Sequence, residues 1–238
     1  MASDDRSTAP ALDPARMIAD ARRAFFVMVG VLAAVWLVQL ANWSADYALT
    51  RDHGIRPHQP GRLVDVFSAP FLHMNWQHLE GNSGPLFVFG FLAAYRGVRK
   101  FLGLSLLIVL TSGGAIWLFQ GADTVSAGAS GVVYGYFGYV VLRGIFDRNP
   151  VDTLIGAVMG ASFAYILTRA VPGAPGVSWL GHLGGLAGGL AGAWIFRDRR
   201  ARAAAAPAAA PADTVAPVPG QTRSARADLL KELEDLGL

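Results

Sequence analysis

The chain has no cysteine, which removes thiol catalysis, thiolate metal sites and any disulfide framework. It is also short of charge. Only 16% of its 238 residues are charged while 53% are hydrophobic, a balance too apolar for an ordinary soluble domain. It lacks a His-Glu-x-x-His zinc signature and any two Asp residues deep in facing apolar segments, so neither metal nor aspartyl chemistry is expected, and no cofactor is implied. The formal net charge of +3 is small, and its Arg residues stand at segment ends rather than in a patch with interleaved aromatics. Nucleic-acid binding is therefore not expected.

What the chain does have is a series of charge-free gaps. They run between Arg23 and Asp46, Lys100 and Asp123, Asp123 and Arg143, Asp152 and Arg169, and Arg169 and Arg197, with a shorter sixth from Glu80 to Arg96. Each gap can supply most of the roughly 17–25 residues that a spanning helix needs. The reading is an all-α polytopic membrane protein with spans near 24–43, 77–95, 101–120, 128–145, 151–169 and 179–196. Basic residues cluster before the first span, between the second and third, between the fourth and fifth, and after the sixth. The positive-inside rule then places both termini in the cytoplasm, with Arg51, Arg56 and Arg62 of the first loop as the dissenting group.

Around this core the chain changes character. Residues 1–22 form a polar cytoplasmic lead with a short basic helix around Arg16–Arg23, and residues 23–197 form the membrane domain. The long segment Trp43–Asn75, with Pro57, Pro60 and Pro70 beside Phe67 and Phe71, is expected to pack at the interface. Residues 198–222 are an Ala/Pro-rich linker and 223–238 a short tail. Ser224 is placed to cap a helix that puts Leu229, Leu233 and Leu236 on one face. That tail reads either as a solvated end or as a docking helix for a cytoplasmic partner.

The chemistry lies in three separated motifs. Ser130, in Gly128-Ala129-Ser130-Gly131, opens the fourth span, and His182 opens the sixth. Intramembrane ionisable residues are costly, so His182 is a functional candidate by default. Both spans run from outside to inside in the expected topology, which brings Ser130 and His182 to similar depth near the outer surface. The second span runs the same way and begins with His78 and Asn82, four residues apart on one helical face. Both side chains can donate to a developing oxyanion, as can the Ser130 backbone N–H at a helix N-terminus. Gly131, Gly185 and Gly189 belong to small-residue rows that let helices approach closely, and Tyr134 is placed to pack on the imidazole.

This joint pattern resembles the rhomboid family of intramembrane serine proteases. The likeness rests on His78-xxx-Asn82, on Gly128-Ala129-Ser130-Gly131 with Tyr134, and on Gly181-His182-Leu183-Gly184-Gly185 with Gly189. Phe71-Leu72-His73 looks like the family's loop ending. The resemblance covers about Phe25 to Phe196 and implies the bacterial six-helix rhomboid-like bundle, working through a Ser130–His182 dyad with Asn82, His78 and the Ser130 N–H as oxyanion donors. It implies transmembrane-helix protein substrates cut near the outer surface, with the lipid bilayer as the other partner. The chain departs from the family at Val64-Asp65, where a Trp-Arg pair is usual, and in the polar, flexible start of the second span, His78-Leu79-Glu80-Gly81-Asn82-Ser83-Gly84-Pro85. Two rivals stand beside this reading: a non-catalytic protein of the same fold that binds transmembrane clients, and a small transporter using His78 and His182 as a polar path.

Overall fold

The computed structural model describes residues 13–173 and 176–198, together with Leu233 and Asp235. Residues 1–199 form one compact unit and 200–238 a second. Of the second unit only Leu233 and Asp235 are described, both helical, so the Ser224 cap and the linker lie outside the described residues.

Helix α1 runs Pro14–Ser44. Its start is written locally: the Asp13 carboxylate accepts the N–H groups of Ala15 (3.1 Å) and Arg16 (3.2 Å), and Pro14 occupies the first helical position. The basic stretch Arg16–Arg23 is thus the opening of α1 and not a separate short helix, because Asp13 caps the helix ten residues ahead of the charge-free gap. At 1.5 Å per residue α1 is about 46 Å long, more than a hydrocarbon core of roughly 30 Å requires.

The buried stripe of α1 passes from Ala24, Met28 and Val35 to Gln39 and Asn42. Asn42 Nδ2 donates to Thr50 Oγ1 (2.8 Å) and to the His73 carbonyl (3.1 Å), fastening the following loop at both ends. That loop holds α2 (Ala48–His53), a 3₁₀ turn at Pro60–Arg62, α3 (Asp65–Ser68) and a second 3₁₀ turn at Ala69–Phe71. Its Ile55, Val66 and Ala69 pack against Ile116, while Phe67 and Phe71 are exposed. Asp65, one of the departures noted in the sequence, is buried and paired with Arg62 Nε at 2.6 Å.

Four further long helices and a broken one follow: α4 (Trp76–Ala94), α5 (Val98–Phe119), α6 (Ser130–Asp147), α7 (Pro150–Phe163) with a 3₁₀ continuation to Arg169, and α8 (Trp179–Ile195). The expected fifth span therefore changes winding at Ala164. No strand occurs among the described residues, only an isolated bridge between Ile55 and Ser126. Among the described residues, three segments are long and apolar enough to cross a membrane: Pro14–Ser44, Val98–Phe119 and Pro150–Arg169. They expose large apolar side chains such as Leu37, Leu102 and Leu154. The protein is an all-α membrane protein.

Helix α6 is the centre of the bundle, buried continuously from Gly131 to Val140 and packed by α4, α5, α7 and α8. Lipid gives apolar side chains no reason to leave it, so association must come from close packing and internal polar bonds. The end of α6 away from Ser130 supplies such bonds. Arg143 pairs with Asp152 and donates to the Leu92 carbonyl (3.1 Å), and Arg96 meets Asp147 at 3.2 Å and Asp152 at 3.5 Å. The Asp198 N–H bonds Asp147 at 2.6 Å, so the cluster ties the ends of α4, α6, α7 and α8 together. Asp152→Ala strands a buried guanidinium, and we expect it to cost about 3–5 kcal/mol in unfolding titrations in mixed micelles. The double change Arg143→Met/Asp152→Leu removes both charges and is expected to cost less than the single one.

Candidate functional site

The site is assembled at the starts of α4, α6 and α8. Gly128 has φ of +130°, which only glycine adopts freely, and a Cβ there would lie 2.6 Å from the His78 ring. This turn delivers Ser130 as the first residue of α6, where its N–H has no partner inside the helix. The Gly128 N–H bonds the Ala69 carbonyl at 2.9 Å, so the long loop holds the turn from outside. Helix α8 is capped by Ser178, whose hydroxyl accepts the Gly181 N–H at 3.2 Å, and His182 follows one turn later.

His182 Nε2 stands 2.8 Å from Ser130 Oγ. Its Nδ1 stands 2.8 Å from the Arg169 carbonyl, which can only accept. Nδ1 therefore carries the proton, and Nε2 of the neutral ring is left to accept from the serine hydroxyl. Tyr134 stacks on the imidazole with centroids 4.1 Å apart and planes 8° apart, and its hydroxyl donates to the Ile166 carbonyl. One short 3₁₀ segment thus supplies both carbonyls that fix the ring and its cover. His182 is only 5% exposed.

The helices meet this closely because glycines remove the obstruction. A Cβ on Gly185 would collide with the Gly131 carbonyl, and one on Gly189 with the Gly135 carbonyl. Gly131 in turn faces Ser112 of α5, whose hydroxyl donates to the Gly181 carbonyl at 2.8 Å.

His78 and Asn82 share a face of α4 and line a cavity of about 1300 Å³ together with Ser130, Tyr134 and His182. Asn82 is 8% exposed, and its Nδ2 has no acceptor among the described residues. A buried amide donor facing such a cavity is what an anionic oxygen would be bound by. Glu80 is exposed and does not line the cavity.

Three contributors escape a reading of residue types. The Arg169 carbonyl is backbone and leaves no signature in sequence. Ser112 is a polar residue within an apolar helix, and that contrast is its only signal. His73, visible only as a loop ending, is fully buried; its ring lies 5.1 Å from that of His78, and its Nε2 accepts from the Ala129 N–H at 3.4 Å.

Comparison with known proteins agrees with this architecture. The family described as Rhomboid domain matches residues 60–199. The chain belongs to the rhomboid family. Among its relatives, an uncharacterized protein of Mycobacterium tuberculosis is 35% identical over 182 residues, covering 72% of this chain and 75% of that one. An uncharacterized protein of Mycobacterium leprae is 32% identical over the same length, covering 72% of each. Rhomboid-like protein 11, chloroplastic, of Arabidopsis thaliana is 33% identical over 135 residues, covering 52% of this chain and 48% of its own.

Two outcomes follow. Gly185→Ala forces α6 and α8 apart and is expected to cost about 1–3 kcal/mol, whereas Gly114→Ala, with open space at its Cβ, stays neutral or gains up to about 1 kcal/mol. Thermal unfolding of both in the same detergent decides. Burial, reinforced by His78 and opposed by the Phe71 carbonyl, pushes His73 from 6.5 down to about 4. A lowered histidine is neutral in the fold, so its stabilisation is complete above 6.5 and is lost as pH falls towards 4. Wild type should lose up to about 3 kcal/mol more than His73→Asn across that window. Parallel curves for the two proteins would contradict it.

Proposed function

We propose that this rhomboid-family membrane protein is an intramembrane serine endopeptidase with a Ser130–His182 dyad. The observation that carries the proposal is the 2.8 Å contact between Ser130 Oγ and a His182 ring whose other nitrogen is committed to the Arg169 carbonyl. His182 Nε2 takes the hydroxyl proton as Ser130 Oγ attacks the scissile carbonyl. The resulting oxyanion is met by Asn82 Nδ2, with His78 and the Ser130 N–H as further donors. His182 returns the proton to the leaving amide nitrogen, which frees the C-terminal fragment and leaves an acyl-enzyme. Water, deprotonated by the same imidazole, then releases the N-terminal fragment. The Arg169 carbonyl, with Tyr134 stacked on the ring, takes the orienting role that a buried carboxylate has in a triad.

The full topology is six spans with both termini cytoplasmic. In that orientation α4, α6 and α8 start near the outer surface, and the Arg96–Arg143 ionic cluster lies towards the cytoplasm, where positive residues are favoured. The substrates are membrane proteins whose transmembrane segment can unwind near the outer surface and present a small residue. Gly- and Pro-weakened helices release their backbone most cheaply.

Cleavage of a single-span reporter by the full-length protein in vesicles tests the reading. Ser130→Ala and His182→Ala should each fall below about a thousandth of the wild-type rate, and the double variant should be no worse than either single one, since the pair acts as a unit. Asn82→Ala should lower kcat by about 10²–10³. Undiminished cleavage by Ser130→Ala would refute the dyad. Reporter binding without cleavage by wild type would favour the client-binding alternative.

A further inference from the structure

Arg169 ends the 3₁₀ continuation of α7 with two different groups beside the dyad. Its carbonyl holds His182 Nδ1 at 2.8 Å, and the residue lines the cavity of about 1300 Å³ that contains Ser130 and His182. Among the described residues lining that cavity it alone carries a formal charge; the polar remainder consists of neutral groups such as Gln77, Gln120, Thr124 and Ser178, besides the histidines. No Asp or Glu among the described residues lies within ion-pair distance of its guanidinium. The contrast with Arg96 and Arg143 is plain, since both of those are neutralised by Asp147 or Asp152. In the proposed orientation Arg169 also stands at the outer end of its span, against the positive-inside preference.

An exposed, uncompensated guanidinium at the rim of an otherwise neutral cavity is a fork for a planar anion. We propose that Arg169 is a specificity-determining residue that pairs with a carboxylate side chain of the substrate within a few residues of the scissile bond. The inference rests on the serine endopeptidase reading above and names a property of its substrates: acidic segments are cut in preference to basic ones. A substrate carboxylate on the guanidinium would also steady the 3₁₀ segment whose carbonyl holds His182, so pairing favours kcat as well as KM. A lipid phosphate would fit the same fork, but the place of Arg169 in the lining of the cavity that holds Ser130 and His182 favours the substrate.

The test uses full-length protein in phosphatidylcholine vesicles and single-span peptides with an Ala-Ala cut site. The peptides carry Asp, Asn or Lys at each of the four positions on either side. At one or more positions wild type should show kcat/KM about tenfold higher for Asp than for Asn, with Lys lower still. The Asp-to-Lys ratio should collapse towards unity in Arg169→Gln, reverse in Arg169→Glu and persist in part in Arg169→Lys. Each ratio is taken within one variant, so a general loss of activity cancels. Cleavage of the Asn peptides with equal rates for Asp and Lys overturns this inference and leaves the protease reading standing. Failure to cut any Asn peptide overturns both. A flat ratio with wild-type activity that rises on adding phosphatidylglycerol, a rise missing from Arg169→Gln, assigns the guanidinium to lipid and overturns the inference.

Discussion

The carbonyls of Gly131 and Gly135 occupy the space that a side chain on Gly185 or Gly189 would need, and the site depends on this backbone-to-backbone approach of α6 and α8. In a bilayer there is no solvent-driven force to press two helices together, so the distance between them is set by what projects from their surfaces. With nothing projecting, a histidine on one helix reaches a serine on the other at 2.8 Å. The continuous burial of α6 is the same constraint at larger scale, since every long neighbour must seat against one slender helix.

The second element of the design is the change of winding in α7. An α-helix consumes its own carbonyls, whereas the 3₁₀ stretch Ala164–Arg169 turns the carbonyls of Ile166 and Arg169 towards Tyr134 and His182. The Arg169 carbonyl then fixes the imidazole tautomer and the Ile166 carbonyl the tyrosine stacked on it, with no carboxylate among the described residues that line the cavity. Far along α6, the buried Arg143, Asp147 and Asp152, joined by the half-buried Arg96, anchor the start of α7. The segment that orients His182 is therefore held rigidly at one end and through its carbonyls at the other.

Much of this was legible in the order of residues. Charge-free gaps marked the long helices, and the positions of Ser130, His182, His78 and Asn82 at helix starts placed them at one level before any contact was known. Small residues at Gly131, Gly185 and Gly189 announced a close approach. What stayed hidden was carried by backbone or by tertiary burial. The Arg169 carbonyl has no side-chain signature, and the break at Ala164 falls in an apolar run that continues without interruption. His73 is distinguishable from an interfacial histidine only by its burial under the loop. The early start of α1 was written in Asp13-Pro14, but a reading built on charge gaps passes over a cap lying ten residues upstream.

The central claim is that His182 activates Ser130. It is tested most directly by exposing the full-length protein in vesicles to a fluorophosphonate and identifying the modified residue by mass spectrometry. The account predicts modification at Ser130 in wild type and its loss in a folded His182→Ala protein. Equal modification of Ser130 in the two proteins, or none in folded wild type with this and a second class of serine-reactive inhibitor, would contradict it.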